Sequence, residues 1–112
     1  MDIKFIENKI ADTMAVTGSI DALTAAVLTD FMLLKVGEGH HNLIVDLSQV
    51  EFMSSAGLRA LLAALKECRN KGGDLRISGA QPGVDKVLKM SGFTNILKCF
   101  PNNQEALASF SE

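Results

Sequence analysis

The run Leu43-Ile-Val-Asp-Leu47 constrains this chain more than any other segment. It is almost continuously apolar and β-branched at its centre, as strands covered by helices are, so it belongs at the middle of a sheet. Helix-period segments stand on both sides of it. Before it, Asp21 is a good N-cap, Leu23, Val27, Phe31 and Leu34 recur at helical spacing, and Gly37 supplies a stop. This pattern predicts a first helix with those four residues as its apolar stripe. After it, Ser54 and Ser55 open a second helix with Leu58, Leu61, Leu62, Leu65 and Cys68 on one side and Arg59, Lys66 and Asn70 on the other, ending at Gly72-Gly73.

The remaining segments complete an alternating order. Ile3 to Ile6 and Met14 to Gly18 alternate apolar and polar residues around a turn at Glu7 to Asp12, which predicts a half-buried hairpin of edge-type strands. Asp74 to Ser78 alternates as a strand. Pro82 suits the first position of a third helix reaching Met90, with Gly92 as its stop. Ile96 to Phe100 is a last short strand, followed by a helix from about Asn103 that carries Ala106, Leu107 and Phe110. The expected fold is α/β: one domain over 1–112 with a mixed sheet of about five strands, packed with about four helices through right-handed crossovers.

At 112 residues the chain is long enough for one core. Its 47% hydrophobic and 21% charged residues exclude a disordered chain. The absence of Trp and Tyr argues against a stacking platform for single strands, and a net charge of -2 offers phosphate backbones no attraction, so nucleic acid is not an expected partner. No apolar run reaches the length of a membrane span and the N-terminus lacks a signal pattern, which points to a cytoplasmic location without membrane insertion. Cys68 and Cys99 read as buried or half-buried reduced thiols.

Chemistry concentrates where the central strand hands over to the second helix. Hydroxyls at a helix N-terminus face free backbone amides and the positive end of the dipole, so Ser54 and Ser55 suit either capping or phosphorylation. Elsewhere the signals are structural. His40-His41 has no third ligand at metal-binding spacing and reads as a solvated loop, so no metal is expected. Gly37-Glu-Gly39 and Gly79 to Gly83 lack phosphate-binding or dinucleotide spacing and read as turns, so no cofactor is expected. Asp46, at the end of the central strand, has no supporting base or nucleophile and reads as a structural hydrogen-bond acceptor. Met32 and Met90 read as core filling, whereas Met53 stands beside the serines.

The stretch Val45 to Leu58 resembles the signature of STAS domains (sulfate transporter and anti-sigma factor antagonist): an apolar strand ending in Asp-Leu, a Phe-Met pair, small residues including Ser, then Gly-Leu. Gly18 to Ala22, Gly72 to Leu75 and Val87 to Phe93 resemble further family turns in the same order, so the likeness runs nearly end to end. It implies a non-enzymatic anti-sigma factor antagonist working by partner switching. The unphosphorylated form would bind an anti-sigma factor that is itself a serine kinase and free the sigma factor. Phosphorylation would break that complex and a serine phosphatase would restore it. The acceptor implied is Ser55, with Ser54 second, because Ala56 stands directly before Gly57. The partner surface implied comprises Asp21, Met53, Ser54, Ser55, Ala56, Gly57, Leu58 and Arg59, on a monomer or weak dimer without catalytic residues. Ala56, and Ser54 where the family commonly carries an acid, leave an alternative: a STAS adaptor or scaffold subunit of a transport or signalling complex, in which the serines only cap the helix.

Overall fold

The computed structural model describes residues 1–111. Its central strand is β3 (Asn42–Met53), flanked by β2 (Asp12–Ile20) and β4 (Asp74–Ser78), with β1 (Asp2–Ile6) and β5 (Lys98–Phe100) at the edges. Only the β1–β2 pair is antiparallel. The helices are α1 (Ala22–Gly37), α2 (Ser55–Asn70), α3 (Pro82–Met90) and α4 (Asn103–Ser109). The fold class is therefore as the sequence predicts: α/β, with a mixed five-stranded sheet and four helices.

From β2 onward each strand lies beside the next, so right-handed crossovers put α1, α2 and α3 on one face of the sheet. Alternation along β3 divides the core accordingly. Leu43, Val45 and Leu47 join the main cluster with the buried residues of α1, α2 and α3, whereas Ile44 points to the other face and packs on Ala106 of α4.

Five expectations change. β2 is an interior strand, not an edge strand, because it pairs with β3 as well as with β1, and Met14, Val16 and Ile20 are buried. β3 continues to Met53, closing the expected loop between strand and helix, because Ile20 of β2 still pairs with Met53. α1 is rotated from the expected stripe: Ala25, Leu28, Met32 and Val36 are buried, Leu23, Val27 and Leu34 are exposed, and Phe31 is half-buried. The left-handed residue that ends α1 is Gly39, with a φ of 106°, and not Gly37. Of the methionines, Met32 fills the core as expected and Met90 lies on the surface.

Candidate functional site

Ser54 alone joins β3 to α2, and the junction is tied to its neighbour in space. The Ser54 N–H donates to the carbonyl of Ile20 at 2.8 Å, and the next residue, Asp21, is the N-cap of α1. The first turns of α1 and α2 therefore lie side by side at the C-terminal end of the parallel strands, where both helix dipoles present their positive ends.

The two helix starts are finished differently. Asp21 forms a full capping box: its carboxylate accepts from the N–H groups of Leu23 at 3.0 Å and Thr24 at 2.9 Å, and the Asp21 N–H donates to the Thr24 hydroxyl. The Thr24 bonds, backbone first, hold the Asp21 carboxyl below its ordinary range. At α2, Ser54 has the backbone angles of an N-cap, but its side chain makes no capping bond and no acidic residue stands in the first turn. The Ser54 hydroxyl is buried without a hydrogen-bond partner among the described residues. Ser55, one residue on, is exposed in the first turn of α2. Arg59, four residues further, is exposed on the same side of the helix and makes no ion pair among the described residues.

The other residues singled out from the sequence divide by exposure. Asp21, Ser55 and Arg59 face solvent and Ala56 is half-buried. Met53, at 3% exposure, is in the core with Gly57 and Leu58 instead of lying open beside the serines. The pairing of the lengthened β3 with β2 explains this, since Met53 is held opposite Ile20 and joins the main core cluster, whereas Phe52 is 54% exposed. Phe52 is an open apolar residue at this junction, and strict alternation from Leu43 does not reach it, because between Leu47 and Met53 the pairing with β2 shifts register, Val50 is buried, and Gln49 and Glu51 are exposed. Gly57 sits where a Cβ would come within 2.7 Å of Met53 Cγ and 2.8 Å of Ile20 Cγ2, so it lets α2 start close against the ends of β2 and β3.

Asp46 is engaged structurally, as expected. It accepts from the Ser48 N–H and from Asn103 Nδ2, each at 2.9 Å, and Asn103 in turn accepts from the Ser78 hydroxyl. His40 is not a free loop residue: it is half-buried, its Nδ1 lies 2.7 Å from an Asp12 carboxylate oxygen, and its ring meets Phe5 edge-on. A groove of about 960 Å³ runs along the β5 edge and is lined by residues that include Arg69, Asp85, Lys89, Lys98 and Cys99. It lies at the far end of α2 from Ser55, about 20 Å away by helix rise. No helix among the described residues is long and apolar enough to cross a membrane.

A STAS domain profile matches residues 6–106. The anti-sigma-B factor antagonist of Listeria monocytogenes is 31% identical over 98 residues, covering 83% of this chain and 85% of that protein. The crystal structure of an anti-sigma factor antagonist from Mycobacterium paratuberculosis superposes with a TM-score of 0.90 at 23% identity, covering 99% of this chain and 94% of that one. The unphosphorylated form of the anti-sigma factor antagonist SpoIIAA superposes with a TM-score of 0.81 at 18% identity, over 95% of this chain and 93% of that one. The phosphorylated form of SpoIIAA from Bacillus superposes with a TM-score of 0.74 at 16% identity, over 96% and 98%.

Proposed function

The chain belongs to the STAS domain family, and from that premise we propose that it is an anti-sigma factor antagonist whose partner contact is controlled by phosphorylation of Ser55. The observation that carries this reading is the contrast between two adjacent serines: Ser55 is exposed in the first turn of α2, whereas Ser54 is half-buried with its hydroxyl enclosed. A kinase can reach only the first without opening the β3–α2 junction. In the proposed step the Ser55 oxygen attacks the γ-phosphorus of ATP, ADP leaves and the hydroxyl proton is lost, and a phosphatase reverses the modification with water.

A phosphate at Ser55 adds about -1.5 to -2 charges. The uncapped α2 N-terminus favours that charge and Arg59 stands within reach at i+4, so the fold accommodates it. Its effect then falls on whatever protein packs over this end of the molecule, where Phe52, Ser55 and Ala56 offer a small surface and the added charge must be desolvated. The expected partners are an anti-sigma factor with serine kinase activity and a serine phosphatase, and a cytoplasmic location goes with them. Ala56 before Gly57, and Ser54 in place of an acid, favour the second reading, an adaptor that is never phosphorylated.

Incubation with an anti-sigma factor kinase and ATP, followed by mass spectrometry, tests the two readings. Phosphate is expected on Ser55 in the wild type and in Ser54→Ala, and on neither serine in Ser55→Ala. Ser55→Asp should bind the anti-sigma factor at least tenfold more weakly than the wild type, about 1.4 kcal/mol. Absence of phosphate together with normal binding of Ser55→Asp replaces the switch by the adaptor.

A further inference from the structure

α1 carries an apolar stripe on the side away from the sheet. Leu23 is 80% exposed, Val27 56% and Leu34 58%. Asp30 is exposed, and helical periodicity puts it between Val27 and Leu34 on the same outward line. Water-facing helix surfaces are ordinarily polar, and a contiguous patch of this kind marks an interaction site. The stripe is not a by-product of core packing, because Ala25, Leu28, Met32 and Val36 already fill the inward face of α1.

We propose that this stripe seats a helix of the partner protein, an amphipathic segment whose aliphatic face includes one Lys or Arg set against Asp30. The proposal rests on the antagonist reading above and extends its docking surface from the Ser55 turn along α1. Continuity supports it: Leu23 lies in the first turn of α1, beside the first turn of α2 that carries Ser55, since the Ser54 N–H is bonded to Ile20 directly before the α1 N-cap.

Asp30 selects the occupant. A carboxylate covered by an apolar surface is costly without a positive partner. No ion pair involves Asp30 among the described residues. The one lysine of α1 is turned the other way, with Lys35 Nζ 3.3 Å from Glu38 Oε1 and 4.5 Å from the Phe5 ring centre. Antiparallel pairing with a second copy would match Leu23 with Leu34 and set each Asp30 against Val27 of the other copy, so self-association leaves two carboxylates within one helical turn of each other in an apolar seam, with no cation to pair them. A basic residue on a different protein satisfies the carboxylate and the aliphatic stripe together.

The test is calorimetric titration of the full chain with a purified anti-sigma factor kinase, combined with sedimentation of the chain alone. Leu23→Asp and Leu34→Asp should each weaken binding at least tenfold while leaving the melting temperature unchanged, as these side chains are exposed. Asp30→Lys should weaken it similarly, and replacing the opposing basic residue of the kinase with Glu should recover affinity. Normal binding by all three variants of the chain, with Ser55→Asp alone disruptive, overturns the proposal and leaves the antagonist reading standing. No binding by the wild type overturns both. A dimer in sedimentation that Leu23→Asp dissociates assigns the stripe to a second copy and overturns the proposed occupant.

Discussion

At the scale of single residues, the junction of β3 and α2 depends on an absent side chain as much as on the serines. Replacing a helical Gly by Ala ordinarily stabilises by about 1 kcal/mol. At Gly57 a methyl group would press on Met53 Cγ at 2.7 Å and on Ile20 Cγ2 at 2.8 Å, and Ile20 is a β-branched residue that is fully buried. Overpacking of that kind costs roughly 1–3 kcal/mol, so packing opposes helix propensity and wins where the neighbours cannot move. Gly57→Ala should therefore lower unfolding stability by roughly 1 kcal/mol in urea titrations, and a stabilised variant would show that α2 stands further from the sheet.

At the scale of elements, two leucines that look alike in sequence part company. Leu61 of α2 is fully buried against the sheet, so Leu61→Ala should cost about 2–5 kcal/mol. Leu23 of α1 is exposed, and Leu23→Ala should leave the melting temperature nearly unchanged. Equal losses would mean that α1 packs through the stripe the sequence suggests. The α2 stripe was legible because polar residues mark its outer side, whereas α1 is apolar on nearly every side and its period does not distinguish core from surface. Ala25 and Leu28 face the sheet only because the crossover from β2 to β3 fixes the roll of the helix, which is tertiary information. The limits of α3 and the Asp21 cap were legible because Pro and capping residues act locally. The extent of β3 was not, since Ser48 to Met53 is held as strand by pairing with β2. The placement of the serines at a helix start could be read from the signature, but which hydroxyl is exposed depends on how α2 meets Ile20 and Met53.

At the scale of the whole molecule, one cluster joins residues from β2, β3, β4, α1, α2 and α3, so the domain is expected to open as a unit. Cys68 reports on that unit. It is fully buried on α2, and its thiol is pushed up from the ordinary 9.0 to about 12, first by desolvation and then by the charges of Asp74 and Glu67. Between these two values the unfolded chain loses the thiol proton and the folded chain keeps it. The native state then binds more protons, and stability falls as pH rises. The contribution is fully present below pH 9 and is lost progressively toward about 12. One proton sets a limiting slope of about 1.4 kcal/mol per pH unit. Cys99 shifts in the same direction through burial, and Lys89, raised by its hydrogen bond to Asp85, adds a similar loss at higher pH. Subtracting the Cys68→Ala variant isolates the Cys68 part. Urea unfolding across the pH range from about 8 to 10.5 should show the wild type losing stability more steeply than Cys68→Ala above pH 9, with parallel curves below it. Parallel curves throughout would mean that the Cys68 thiol ionises as readily in the folded protein as in the unfolded chain, and that α2 does not seal the core at this position.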